Sequence, residues 1–146
     1  DMLRCLSKAH DAERFVETIP EALQVVDRYA AELRNGTVAA DRLIVRRRIT
    51  RRLEEYAQFN DSVAALRQLH DKGFELQPGQ SIEYVILDSG SERSWERVRA
   101  APFLSGDDRY DGEKYVEMVH RGASELLSPF GWSFERMRQW DGSQRR

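Results

Sequence analysis

Cysteine is almost missing from this chain: Cys5 is the only one in 146 residues. That excludes an internal disulfide and any zinc site built on paired cysteines, and a lone thiol fits a reducing compartment. Long apolar runs are also missing, and none approaches the length that spans a membrane. No signal peptide is visible, and the first residue is Asp1 rather than Met, which sets the expectation of a fragment or a processed chain. Glycine-rich phosphate loops are absent, because Ser89-Gly90-Ser91 is too short to form one. His10, His70 and His120 are far apart and show no two-histidine helical spacing, so no metal site is expected. There is no nucleophile elbow. The acids Glu54-Glu55, Asp71 and Asp107-Asp108 read as solvated charges rather than a catalytic pair. The isolated chain is therefore not expected to be an enzyme, and no catalytic residue is assigned in it. A formal net charge of −2 excludes a histone-like or tail-type nucleic-acid binder.

What is present supports a globular fold. Hydrophobic residues make up 40% of the chain, enough for a core, and charged residues 33%, which makes a strongly ionic surface. Phe15, Ile19, Leu23, Val26, Ala30 and Leu33 recur at spacings of three and four, the signature of a helix. Pro20 predicts a kink or a fresh start in it, and Asn35-Gly36 a stop. Leu43 to Ile49 reads as a short strand. Asn60-Asp61 caps a helix carrying Val63, Leu66 and Leu69, which Gly73 closes. Pro78-Gly79 turns into the best strand of the chain, Ile82 to Leu87. Trp95 to Ala101 reads as a returning strand, and Pro102 to Arg109 as irregular. Asp111 predicts the cap of a long helix with Val116, Val119, Ala123 and Leu126, ended by Pro129. Ser133 starts a last short helix with Phe134, Met137 and Trp140. The expected class is α+β, predominantly helical, with a small sheet and a long C-terminal helix. Residues 1–140 form the expected folded region, divisible into lobes of about 1–75 and 76–140, with a fraying polar tail over 141–146.

The most informative stretch is basic. Six arginines fall between Arg42 and Arg52. On a strand, Arg46, Arg48 and Thr50 share one face, while Val45, Arg47 and Ile49 share the other. Same-face neighbours lie roughly 6.6 Å apart, a spacing compatible with successive phosphates on one DNA strand. Guanidinium groups suit phosphate because they donate in a planar fork, and Thr50 adds a neutral donor. The other reading of the same letters is a solvated strand paired with Glu54 and Glu55. A second cluster, Arg109-Tyr110-Asp111 with Lys114-Tyr115, lies at the start of the long helix. Backbone amides there favour an anion, but by composition alone a helix start with a core aromatic is the favoured account.

Taken in order, these segments resemble the thumb, the C-terminal region, of archaeal family B DNA-directed DNA polymerases. The stretch Leu43 to Tyr56 is similar to the family's apolar strand followed by Ile-Thr-Arg, a variable residue, Leu, two more and Tyr. Val63-Ala64-Ala65, Leu69 and Lys72-Gly73 match the helix that follows. Pro78-Gly79, Ile82 and Tyr84 to Leu87 match its Pro-Gly turn and strand. Tyr110-Asp111, Tyr115-Val116, Leu126-Leu127 and Phe130-Gly131-Trp132 match its closing helix and turn. The resemblance runs from about Ala12 to Trp140.

The resemblance implies a nucleotidyltransferase parent that replicates DNA, in which the thumb holds primer–template duplex by its backbone. It implies Mg²⁺ for that parent, bound by palm aspartates whose Asp-Thr-Asp signature is not in this chain, and no cofactor for this segment. Implied partners are double-stranded primer–template DNA and the palm, fingers and exonuclease domains. The tail from Gln139 to Arg146 does not show the family's clamp-binding peptide. No membrane role is implied, and the implied location is the cytoplasm, on the nucleoid. Thr50, Arg51, Arg97 and Tyr110 match positions expected to touch the duplex backbone. Arg48 stands where many relatives carry a neutral polar residue, and Arg52 replaces a common Pro. The full set of expected backbone contacts is Arg46, Arg48, Thr50, Arg51, Arg97, Arg109, Tyr110, Lys114 and Tyr115. Two other readings stand beside this one: a module whose arginines bind an acidic protein, and a small Mg²⁺ nuclease using Asp107, Asp108 and Glu113.

Overall fold

A computed structural model of the chain describes residues 12–139. Expectations about Cys5, His10, Trp140 and the tail over 141–146 lie outside the described residues, as does the side chain of Phe15. The chain divides into two units, one made of its two ends and the other of Val38–Asp111.

The first unit is helical. Helix α1, Ala12–Asn35, buries Ile19, Leu23, Val26, Ala30 and Leu33, so the spacing of three and four places one apolar stripe inward. The helix continues through Pro20 with no fresh start. The ring removes one backbone bond, and the buried stripe that follows holds the helix together across the gap. Gly36 ends it at φ 72°, and the Thr37 amide donates back to the Glu32 carbonyl at 3.1 Å. With the Gly36 amide donating to the Leu33 carbonyl at 3.3 Å, two last-turn carbonyls are paired, in a turn that glycine adopts without a Cβ clash.

Later in the chain the same unit gains α3, Gly112–Leu127, and a short α4, Phe134–Gln139. The Ser133 hydroxyl caps α4 by accepting from the Arg136 amide at 3.2 Å, as its position predicts. Ile19, Ala22, Leu23, Val26, Ala123, Leu127, Trp132 and Met137 form one buried cluster. Gly131, at φ 85°, turns Trp132 back into that cluster, and the Arg136 guanidinium stacks 4.1 Å above the indole. At the other end of α3, Gly112 lies against α1: a Cβ there would stand 2.5 Å from the Leu33 carbonyl oxygen. Only a residue without a side chain permits that approach.

The central unit is a three-stranded antiparallel sheet with one helix. Its strands are β1, Val45–Arg48, β2, Ser81–Ile86, and β3, Val98–Ala100, in the order β1-β2-β3. Val45 lies opposite Tyr84 and Arg47 opposite Ile82, while Tyr84 lies opposite Ala100. One face therefore gathers Ile82, Tyr84, Ile86, Val98 and Ala100, all buried. Helix α2, Asp61–Asp71, packs on β2 and β3. Asn60 caps it by accepting from the Val63 amide at 3.0 Å, and Gly73 closes it at φ 87°. Val63, Ala64, Ala65, Leu66 and Leu69 are its buried residues.

Three expectations change. The first strand is Val45–Arg48, shorter than Leu43 to Ile49, because a 3-10 turn at Ala40–Arg42 precedes it and the Pro78-Gly79 turn closes on Ile49. The returning strand shrinks to Val98–Ala100, since Ser94–Glu96 winds into a 3-10 turn. The expected lobe boundary near residue 75 falls inside a unit, because β1 and β2 pair across it.

Candidate nucleic-acid interface

β1 is an edge strand, with β2 on one side only. An edge exposes unpaired backbone groups, and charged side chains are the usual way to keep another strand from adding there. Here Arg46, Arg47 and Arg48 are all exposed, and Arg51 and Arg52 follow in the loop, also exposed. Among the described residues, none of these five guanidinium groups has an ion pair or side-chain hydrogen bond. Arg46 faces Glu83 across the ladder, yet the two are not within ion-pair distance. Glu54 and Glu55 sit in a 3-10 turn, Leu53–Glu55, and do not pair with the strip. The arginines are thus available cations rather than members of an internal charge network.

Arg46 and Arg48 share a face with Ser81 and Glu83, and Arg47 points to the other side. Arg48 reaches over the Pro78-Gly79 turn, with a guanidinium nitrogen 4.0 Å from the Cβ position of Gly79. Thr50 does not continue the alternation, because the ladder ends at Arg48. Ile49 makes the last bonds, its amide donating to the Gln80 carbonyl at 2.8 Å and its carbonyl accepting from the Gly79 amide at 2.7 Å. Ile49 is buried and pins the end of the strip to the core. Beyond it, the Tyr56 hydroxyl accepts from the Thr50 amide at 3.2 Å and from the Arg51 amide at 3.3 Å. Arg46, Arg48, Thr50 and Arg51 are therefore exposed along one stretch of chain that buried Ile49 anchors midway.

The other expected contacts lie elsewhere. Arg97 precedes β3, at the corner of the sheet diagonal to Arg48, about 20 Å away along β2 by strand rise. Its Nε donates to the Ser91 carbonyl at 2.6 Å, and it is half-buried. The Tyr110 hydroxyl accepts from the Val38 amide at 3.2 Å, which ties together the two ends of the central unit. Arg109 is exposed, and among the described residues its side chain has no partner. Lys114 and Tyr115 belong to the helical unit: Lys114 Nζ lies 3.7 Å from Glu117, and Tyr115 is buried at 5% exposure. Tyr115 thus serves as a core aromatic and offers no surface to a phosphate. Asp111 directly precedes α3, and its Oδ2 accepts from the Ser89 amide at 2.9 Å and the Ser89 hydroxyl at 2.6 Å.

Two of the three acids weighed for a nuclease, Asp108 and Glu113, have structural partners, and Asp107 is exposed. Asp108 accepts from the Ser105 amide at 2.9 Å and lies 3.6 Å from Arg99, closing its own loop. Glu113 pairs with Arg34 at 3.0 Å. Among the described residues, no group of three His, Cys, Asp or Glu side chains is placed to hold a metal ion. No described helix is long and apolar enough to cross a membrane.

Two residues of consequence carried no signal of this kind in the sequence. Tyr56 is one. Gln68 is the other: its Nε2 donates to the Val98 carbonyl at 2.8 Å, and its Oε1 accepts from the Ala100 amide at 2.7 Å. The side-chain amide stands in for one peptide of an absent fourth strand and covers the β3 edge.

Comparison with known proteins places the chain beside archaeal DNA polymerases. It is 32% identical over 124 residues to the DNA polymerase of Thermococcus hydrothermalis, a stretch covering 82% of this chain and 7% of that protein. To the DNA polymerase of Thermococcus kodakarensis it is 30% identical over 141 residues, covering 94% of this chain and 8% of that protein. To that of Thermococcus gorgonarius it is 32% identical over 124 residues, covering 82% and 16%. A solved structure, the family B DNA polymerase of the hyperthermophilic archaeon Pyrobaculum calidifontis, matches with a TM-score of 0.61. The match covers 80% of this chain and 15% of that one at 22% identity, a likeness of fold. No protein-family profile matches the chain. The chain spans between 7% and 16% of the length of these curated relatives. Its α+β architecture, helical with a small antiparallel sheet, is one that occurs within a family B polymerase.

Proposed function

We propose that this chain is the duplex-gripping thumb of a family B DNA-directed DNA polymerase and serves DNA replication by holding the primer–template backbone without reading its sequence. One observation carries the reading: the guanidinium groups of Arg46, Arg48 and Arg51 are exposed and, among the described residues, unpaired, on an edge strand pinned to the core at Ile49. Cations held this way meet phosphate without first breaking an internal ion pair, so none of the attraction is spent on replacing a lost partner. Contacts to phosphate and sugar fix position and carry no base information. Thr50 supplies a neutral donor beside them, and exposed Arg109 a further cation. The sequence kinship with archaeal DNA polymerases supports the same assignment.

Chemistry belongs to the rest of such an enzyme. Asp108 closes its own loop and Glu113 pairs with Arg34, and among the described residues no three His, Cys, Asp or Glu side chains gather as a Mg²⁺ site of nucleotidyl transfer would need. The chain alone is expected to bind duplex weakly, with a Kd on the order of 10⁻⁴ to 10⁻⁶ M at physiological salt, and to incorporate no nucleotide. Attachment to palm, fingers and exonuclease domains raises the effective concentration of the edge at the duplex.

A fluorescence-anisotropy titration with a labelled duplex, comparing the wild type with R48A/T50A/R51A, tests the contact set. The variant should bind at least tenfold more weakly, because two charge-assisted contacts and one neutral donor are removed. Equal affinity would refute the assignment. If an acidic protein were the true partner, duplex would fail to compete with an acidic peptide for the same arginines.

A further inference from the structure

The loop after β1 is closed by a bond that sequence alone does not reveal. One phenol oxygen, that of Tyr56, accepts from two successive amides, Thr50 at 3.2 Å and Arg51 at 3.3 Å. These amides are the first that the sheet cannot use, since the ladder ends at Arg48 and Ile49 closes on the Pro78-Gly79 turn. Without an acceptor from the protein they would be hydrated, and Thr50 and Arg51 would sample many backbone states. Tyr56 is itself anchored: its amide donates to the Leu53 carbonyl at 3.3 Å, within the 3-10 turn Leu53–Glu55. The ring therefore folds back over its own turn and clamps the start of the loop to its end. A phenol oxygen has the two acceptor sites that this arrangement needs.

We propose that Tyr56 is a positioning residue of the basic edge, fixing the attitude in which Arg51 meets a backbone phosphate. The inference rests on the duplex-binding reading above. Where Tyr56 does not hold the loop, the entropy of ordering a long, exposed cation offsets what a single phosphate contact contributes, so Arg51 does not engage and its counterion is not released. Arg46 and Arg48 need no such device, because the strand ladder already holds their backbone.

The test uses the full chain and Y56F, which keeps the ring and removes only the acceptor. Duplex affinity is measured from about 50 to about 200 mM salt, with thermal melting of both proteins alongside. The expected result is a roughly fivefold rise in Kd and a salt slope shallower by about 0.9, the share of one phosphate contact, with an unchanged melting temperature. In addition, Y56F/R51A should bind no worse than R51A, because the two changes remove one contact. An unchanged Kd in Y56F overturns the inference and leaves the duplex-binding reading intact. So does a loss of affinity with an unchanged salt slope, or additive losses in the double variant. Failure of the wild type to bind duplex at all sinks both.

Discussion

Gln68→Ala is the most informative single change in the scaffold. The Gln68 amide is the only described partner of the Ala100 N–H and Val98 carbonyl beyond the sheet itself, at 2.7 and 2.8 Å, and Ala100 is fully buried. Truncation deletes both bonds at once and leaves a buried donor without an acceptor. A stranded buried polar group costs about 1–3 kcal/mol, and the carbonyl, with a second acceptor site, adds less. The expected loss is therefore about 2–3 kcal/mol, roughly 5–10 °C in melting temperature for a chain of this size. Urea denaturation followed by circular dichroism reads it directly, with an unchanged m-value if the folded state keeps its extent. Q68E sharpens the test. Its carboxylate still accepts from the Ala100 amide but presents a second oxygen to the Val98 carbonyl, so it should be no more stable than Q68A. A loss under about 0.5 kcal/mol for Q68A would show that water replaces the amide and that the β3 edge is not covered in the way described.

Two further changes test the packing within each unit separately. Gly112→Ala places a methyl 2.5 Å from the Leu33 carbonyl oxygen and forces the backbones of α1 and α3 apart. A destabilisation of about 1–3 kcal/mol is expected by thermal melting, and a neutral result would contradict the close approach. Asn60→Ala removes the acceptor for the Val63 amide at the start of α2. It should cost about 1 kcal/mol in chemical denaturation, with N60D close to wild type because an aspartate also caps.

Much of the fold was legible because its signals are local. The apolar stripe from Ile19 to Leu33, the Asn60 cap, the Pro78-Gly79 turn and the Ser133 cap each state their role within a few residues, and the structure keeps all of them. What was not legible depends on pairing at a distance. Strand ends are set by the partner, so β1 stops at Arg48 where the Pro78-Gly79 turn closes on Ile49, although Ile49 continues the alternation. The division into units is illegible for the same reason, since no local signal tells that residues 45–48 pair with 81–84. At the candidate site, exposed arginines are readable from composition, because arginine is almost never buried unpaired. Tyr115 is the converse case. Its place in the first turns of α3 fitted a surface phenol, and only the inward side of the helix, shared with Val116, shows it to be core. The roles of Tyr56, otherwise only the last letter of the family pattern, and of Gln68 are not legible because side-chain-to-backbone bonds over five to thirty-two positions leave no periodicity.

The central claim is that the exposed arginines of β1 and its following loop hold duplex by phosphate alone, and the salt dependence of duplex binding by the intact chain tests it most directly. With Arg46, Arg48 and Arg51 each neutralising one phosphate, log K should fall against log salt with a slope of about −2.7, the same for two duplexes of unrelated sequence. A slope near zero, or affinities that separate the two sequences while R48A/R51A leaves them unchanged, would contradict it.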